Sequence, residues 1–196
     1  MNTSLIIVDD FYENPGDTRD WALNMSFGDT GNYPGTRTSP LRNDSINAAL
    51  NRTLGMYGPI TLEHSHHGCF QSILCDEVSW VHNDNFCDWS GIIYLTPDAP
   101  ITGGTGFYKH KATGITGASE AEDSEYLRKQ GPDITNWELI DTVANVYNRL
   151  VLWDSKRFHK SLDYFGTSME TSRLTQVLFF DTTEETTPYN EPTAEL

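Results

Sequence analysis

Residues 68–96 read GCFQSILCDEVSWVHNDNFCDWSGIIYLT, and their texture decides the fold. Within them Cys69–Cys75, Ser79–His82 and Gly91–Thr96 are short runs rich in Ile, Val, aromatic residues and Thr, separated by acidic residues and Asn. Such runs, bounded by turn formers, predict β-strands. The same texture continues in Gly106–Lys109, Leu150–Trp153 and Leu174–Phe180. Residues 139–147 (LIDTVANVY) fit either helix or strand, and strand is preferred because Asn148-Arg149 then turns the chain into Leu150–Trp153.

Upstream of this stretch the pattern differs. Leu5–Val8 predicts a buried strand closed by Asp9-Asp10. Residues 14–26 predict a helix, with Asn14 as cap, Pro15 in its first position and Trp21, Ala22 and Met25 on one face. Gly31, Pro34, Gly35 and Pro40 mark residues 30–42 as loop. A second helix is expected from Asn43 or Asp44 to Leu54, with Ile46, Leu50 and Leu54 on one side. Residues 118–129 carry good helix formers between glycine-rich stretches. Two helices followed by about eight short strands fit a mainly β double-stranded β-helix, a cupin-like jelly roll with helices packed outside. We expect one domain over residues 1–181, with 1–67 as helical and loop support, 68–181 as the jelly-roll core and 182–196 as an acidic tail.

Composition narrows the function classes. With 28 acidic against 13 basic residues the formal charge is −15, a field that repels phosphate backbones. The longest basic run is Lys109-His110-Lys111, so nucleic acid is not an expected partner. Three cysteines, an odd number, do not make a disulfide framework and suit a reducing compartment. The N-terminus has neither the basic start nor the long apolar run of a signal peptide, and no stretch approaches the roughly 18 apolar residues of a membrane helix. A cytoplasmic protein with no membrane partner is the expectation.

Three signals carry chemistry. His82 and Asp84, two apart on an extended segment, point the same way and can grip one ion. A lone His-x-Asp is weak evidence, since such triplets also decorate surfaces. His159 follows a turn and an apolar strand far along the chain. Two histidines and one carboxylate on one face of an iron leave open positions, the facial triad of non-haem Fe(II) oxygenases. The third signal is Arg173-Leu174-Thr175, where Arg173 and Thr175 share a strand face. A guanidinium grips a carboxylate with two parallel hydrogen bonds, and a hydroxyl can add a third. That suits the distal carboxylate of 2-oxoglutarate. The bland alternative is an edge-strand arginine paired to a surface acid. The cluster His64-Ser65-His66-His67 is a competing metal candidate, but no cysteine or acid lies at finger-like spacing, although Cys69 is close.

Taken in order, His82-Asn83-Asp84, Ile93-Tyr94-Leu95, Gly103-Gly104-Thr105-Gly106-Phe107, His159 and Arg173-Leu174-Thr175 resemble the prolyl-4-hydroxylase-like branch of the Fe(II)/2-oxoglutarate-dependent oxygenases. The resemblance covers about residues 68–181, and Tyr33-Pro34-Gly35-Thr36-Arg37 resembles uncharacterised bacterial and phage members. It implies Fe(II) held by His82, Asp84 and His159, and 2-oxoglutarate anchored by Arg173 with Thr175 and Tyr94 assisting. Tyr94 reads equally well as an ordinary strand aromatic. Gly103–Phe107 departs from the family's usual Gly-Gly-Glu-Thr-x-Phe pattern, and the segment from Tyr108 to Val146 is long for a core connection. That segment is either a lid over the site or an external helix covering the sheet. Gln71 and Trp80 are candidates for the pocket lining.

The resemblance implies a dioxygenase that hydroxylates a substrate while 2-oxoglutarate becomes succinate and CO2. Asp84 argues against a halogenase, where that carboxylate is usually absent. The substrate class stays open between a small molecule and a peptide. Two rival functions are a non-enzymatic jelly-roll metal- or ligand-binding protein and a 2-oxoglutarate-independent cupin-type metalloenzyme. The binding protein would be expected to lose one of His82, Asp84, His159 or Arg173, all of which are present, and the cupin-type enzyme has no need of Arg173-x-Thr175.

Overall fold

Strand β11, Arg173–Thr182, runs through the middle of the larger of two antiparallel sheets and sorts its side chains between two environments. The computed structural model describes residues 4–41, 44–54, 60–61, 64–119 and 125–182. In chain order the strands are β1 (Leu5–Val8), β2 (Asp29–Gly31), β3 (Tyr33–Arg37), β4 (Ile60–Thr61), β5 (Phe70–Ile73), β6 (Trp89–Tyr94), β7 (Thr105–His110), β8 (Trp137–Val143), β9 (Leu150–Asp154), β10 (His159–Ser161) and β11. Helices α1 (Pro15–Leu23), α2 (Asp44–Leu54) and α3 (Glu125–Gln130) accompany them. The large sheet has the order β1-β9-β6-β11-β5-β3-β2, with β4 on the far end of β11; the small sheet is β10-β7-β8. These antiparallel sheets and the external helices form the double-stranded β-helix expected from the sequence.

The period of two in the central strands builds two cores. Ile93 and Leu95, Leu150 and Leu152, and Leu174, Leu178 and Phe180 meet Ala22 of α1 and Ile46, Leu50 and Leu54 of α2. The intervening residues Ile92, Tyr94, Val151, Trp153, Val177 and Phe179 face inward with Phe107 and Val143 of the small sheet. A one-residue slip would exchange the two sets, so the apolar pattern pins the register. Truncating a fully buried leucine such as Leu50 costs about 2–5 kcal/mol, because the cavity left behind collapses only in part.

Several boundaries differ from the sequence reading, for local reasons. Residues 30–42 are not all loop: Tyr33–Arg37 is a strand of the large sheet. Gly35 makes this possible, because its φ of +71° is left-handed and a Cβ there would run into the Ser72 carbonyl. Ser79–His82 is not a strand; only His82 pairs, in an isolated bridge with His159. In residues 139–147 the strand reading holds for the first five only: β8 begins earlier, at Trp137, and stops at Val143. α1 stops at Leu23, Asn14 makes no side-chain cap bond, and Trp21 is 49% exposed while Ala22 is buried. Of the helix expected over 118–129, residues 120–124 lie outside the described residues and helix is found from Glu125 to Gln130. Apart from Thr182, the expected acidic tail also lies outside them.

Candidate functional site

The backbone bridge between His82 and His159 builds the first half of the site. His82 N–H donates to the His159 carbonyl at 3.0 Å and His159 N–H returns the bond at 2.8 Å, so residues remote in the chain are held face to face. Asp84 is tied down separately, its N–H donating to the Ser155 carbonyl at 2.8 Å. The two ring centroids are 4.3 Å apart, and Asp84 reaches His159 Nε2 at 3.3 Å and His82 Nε2 at 3.8 Å. Ligand atoms of all three residues lie within 4.8 Å of one another, and among the described residues no other group of His, Cys, Asp or Glu meets that test.

Hydrogen bonds select the ring tautomers. His82 Nδ1 lies 3.1 Å from the Trp80 carbonyl and His159 Nδ1 lies 3.0 Å from the Arg157 carbonyl. A carbonyl only accepts, so each Nδ1 carries a proton and Nε2 is the ring nitrogen turned toward Asp84. This is the outer-shell arrangement that orients metal-binding histidines. Desolvation in the cleft lowers the His82 imidazole to about 4, with His159 adding to the effect and Asp84 opposing it. Burial pushes Asp84 up, but His159 and His82 outweigh it and hold the carboxyl at about 2. Near neutral pH His82 is therefore a neutral donor and Asp84 an anion, the forms a divalent cation needs.

Behind the triad a second set of polar groups lines an inner cavity. Arg37, Gln71, Thr175 and Tyr94 are direct cross-strand partners in one row over β3, β5, β11 and β6, and Arg173 lies on the same face of β11. Arg173 is 2% exposed and forms no ion pair among the described residues. It donates from Nε to the Gly103 carbonyl at 2.9 Å and from Nη2 to the Gly104 carbonyl at 3.3 Å. Thus the glycine pair singled out in the sequence holds the guanidinium in place. Gly104 has no room for a side chain, since a Cβ would meet the Val143 carbonyl. Tyr94 shares a hydrogen bond with Thr105 Oγ1 at 2.9 Å, and the Arg173 guanidinium carbon lies 5.4 Å from its ring centre. Burial pushes the Tyr94 phenol up against the opposing pull of Arg173, so it stays protonated. Thr175 Oγ1 and Trp153 Nε1 are buried without a hydrogen-bond partner among the described residues. Arg173, Thr105 and Trp153 share this cavity with His82, Asp84 and His159.

An open cleft of about 850 Å³ leads to the triad from outside. Tyr33, Trp80, Phe86, Trp137 and Phe179 line it, together with Leu127 and Arg128 of α3. Within the long segment after Tyr108, α3 both packs on the body of the protein and borders the cleft. Leu127 packs with Val81, Tyr108 and Phe158, while the same helix forms one wall of the cleft. Gln71 lines the inner cavity and Trp80 lines both spaces. The competing histidines go elsewhere: His64 pairs with Asp181 at 3.0 Å, His66 approaches Asp29 at 3.7 Å, and His67 Nδ1 bonds the Phe179 carbonyl at 2.9 Å. Sequence reasoning quoted Arg37 but gave it no role. The signal was there, an arginine one strand turn from Tyr33 in a segment too short of apolar residues to bury it otherwise.

No curated protein matches the chain. Among solved structures it is similar to HygX from Streptomyces hygroscopicus with nickel and 2-oxoglutarate bound, at TM-score 0.63 and 14% identity, over 93% of this chain and 84% of that one. It is also similar to a prolyl hydroxylase from Trichoplax adhaerens in complex with a hypoxia-inducible-factor peptide fragment, at TM-score 0.58 and 11% identity, over 90% and 83% of the two chains. A third similar structure is SnoK, a non-haem α-ketoglutarate-dependent carbocyclase of nogalamycin biosynthesis, at TM-score 0.58 and 13% identity, over 91% and 79%. At these identities the likeness establishes the fold. A family model described as a family of unknown function, DUF6445, matches residues 81–180. That span is just over half of the 196 residues and holds the triad, Tyr94, Arg173 and Thr175, so the chain belongs to the DUF6445 family.

Proposed function

We propose that this protein is a non-haem Fe(II)- and 2-oxoglutarate-dependent dioxygenase that hydroxylates a small molecule or a peptide side chain. The observation that carries the reading is the joint placement of two sites in one cavity: the His82, Asp84 and His159 ligand atoms within 4.8 Å of one another, and the buried Arg173 behind them.

The residues present fit both groups. Two neutral imidazole nitrogens and one carboxylate suit a ferrous ion and leave positions open for other ligands. Arg173 is a buried cation without a protein counter-charge, and Thr175 Oγ1 is a buried hydroxyl without a partner. Both conditions are costly in a protein interior, and a guest carboxylate relieves both at once. When bound, the iron and its co-substrate would supply the oxidation: O2 converts 2-oxoglutarate to succinate and CO2 and places one oxygen atom in a substrate C–H bond.

The chain's own contributions follow from the geometry. The Trp80 and Arg157 carbonyls hold the imidazoles with Nε2 toward Asp84, so Nε2 is the nitrogen each ring would offer a metal. The Gly103 and Gly104 carbonyls aim the guanidinium, and Tyr94 and Thr175 stand beside it as neutral hydroxyls. Burial of Arg173 and His159 in the inner cavity strengthens the charge contacts they make there. The aromatic walls of the outer cleft suit a substrate with an apolar body, and the similar structures bind either a small molecule or a peptide.

The test is succinate release from 2-oxoglutarate in the presence of Fe(II), together with calorimetric titration of the metal. We expect the wild-type chain to release succinate and bind the metal, and Asp84→Ala and His159→Ala to lose both. Full turnover by either variant would refute the assignment. A wild type that binds metal but never consumes 2-oxoglutarate would favour a metal-binding or 2-oxoglutarate-independent protein.

A further inference from the structure

Arg37 is the second buried arginine of the interior, and the proposed oxygenase reaction does not account for it. It is 8% exposed and lines both the inner cavity and the outer cleft, at the point where the two meet. Its Nη2 donates to the neutral amide oxygen of Gln71 at 3.2 Å, and its Nε has no partner. Among the described residues it forms no ion pair. The carboxylates whose fields reach it are Asp84 and Asp29. Asp84 is committed to His82 and His159, and Asp29 accepts the Tyr33 hydroxyl at 2.9 Å with His66 nearby.

The surroundings hold the guanidinium ready. The Tyr33 ring lies 3.7 Å from its central carbon and the Phe179 ring centre 5.8 Å away. A guanidinium stacked on an aromatic face keeps its N–H groups in plane and available for a bidentate acceptor. Gln71 is locked in turn, its Nε2 donating to the Pro34 carbonyl at 2.7 Å, so its amide oxygen stays toward Arg37. In the row over four strands Arg37 is separated from Thr175 by Gln71 alone, whereas Arg173 is two residues from Thr175 on β11 and lines the inner cavity but not the outer cleft. The interior thus holds two buried arginines outside any ion pair among the described residues.

We propose that Arg37 is the recognition group for a carboxylate on the substrate, whose apolar or planar body lies along Tyr33, Trp80, Phe86 and Phe179 of the cleft. This deepens the dioxygenase reading and rests on it, because it reserves Arg173 for the co-substrate. The carboxylate completes the hydrogen bonding of the Arg37 guanidinium and supplies its missing counter-charge. It also places the carbons next to the acid closest to the triad.

The test uses the full chain with Zn(II) in place of Fe(II), so that nothing turns over. First 2-oxoglutarate is titrated, then benzoate and its uncharged isostere benzamide, with the fluorescence of the cleft residue Trp80 as part of the signal. We expect benzoate to bind about tenfold or more tighter than benzamide, the discrimination of one charge-assisted bidentate pair. The preference should vanish in Arg37→Gln and survive in part in Arg37→Lys, with 2-oxoglutarate affinity unchanged in both. A wild type that shows no preference for benzoate overturns the proposal without any variant, so a misfolded variant cannot shield it. A fall in 2-oxoglutarate affinity in Arg37→Gln as large as that in Arg173→Ala also overturns it, because Arg37 then belongs to the co-substrate. Failure of the dioxygenase reading looks different: 2-oxoglutarate affinity is then indifferent to Arg173→Ala.

Discussion

The two faces of β11 share one stretch of backbone and do opposite work. Toward the helices Leu174, Leu178 and Phe180 are buried among apolar neighbours, and Gln176 is satisfied by Tyr12 and the Gly68 carbonyl. Toward the cavity Arg173 lacks a counter-charge and Thr175 lacks a partner, although both are equally buried. The polar group of the helix-side face is satisfied within the chain, whereas the cavity-side face keeps polar groups that the described residues leave open. Burial on the first is a statement about stability. Burial on the second, with polar groups left open, is a statement about binding.

The contrast breaks most decisively at the triad. Asp84→Ala or His159→Ala should abolish succinate release while the metal-free chain stays folded, because neither residue belongs to the apolar clusters. A large drop in melting temperature would make the triad structural instead. On the opposite face Leu50→Ala should cost about 2–5 kcal/mol in denaturant unfolding, with the Michaelis constant for 2-oxoglutarate unchanged in the protein that remains folded. A changed constant would show that the two faces are not independent.

Arg173→Ala should raise the Michaelis constant for 2-oxoglutarate by about 10–100-fold, the loss of a charge-assisted bidentate contact. An unchanged constant places the anion clamp elsewhere. Thr175→Val sharpens the comparison further. It removes an unpartnered buried hydroxyl, so the free chain should be as stable or about 1 kcal/mol more stable, while 2-oxoglutarate binding weakens by a few-fold. A destabilised chain with normal binding would contradict the division of β11 into two faces.

The smallest effect concerns pH. Desolvation lowers His82 from the ordinary 6.5 of a histidine to about 4 in the folded chain, so the unfolded chain binds the extra proton first. Stability of the metal-free protein should therefore fall as pH drops from about 6.5 toward 4 and level off below. Asp84, lowered from 3.8 to about 2, adds a loss of the same sign at still lower pH. Denaturant midpoints of wild type and His82→Gln across this range check it: the slope should be shallower in the variant.

Much of the site was legible because its residue types are uncommon in the places they occupy. An arginine and a threonine two apart at the head of the apolar run Leu174–Phe180 stand out from the pattern, and so does His82-x-Asp84 beside strand-like sequence. The strand at Tyr33–Arg37 was not legible, since Pro34 and Gly35 are turn residues by composition and only pairing with β5 explains them. The bridge that replaces the expected strand at Ser79–His82 was hidden for the same reason. Its partner, His159, is remote in the chain.

The amino-acid sequence by itself determined the alternation that separates helix-facing from cavity-facing residues, the kinds of ligand available and the sign of the charge at the cavity's end. Those are local properties, set by side-chain chemistry and a period of two. Tertiary structure alone decided that His82 and His159 face each other with Nε2 toward Asp84, that glycine carbonyls aim Arg173, and that Arg37 comes to the mouth of the cavity without a counter-charge. The reason is register: cross-strand pairing joins residues far apart in the chain, and only the folded sheet says which ones.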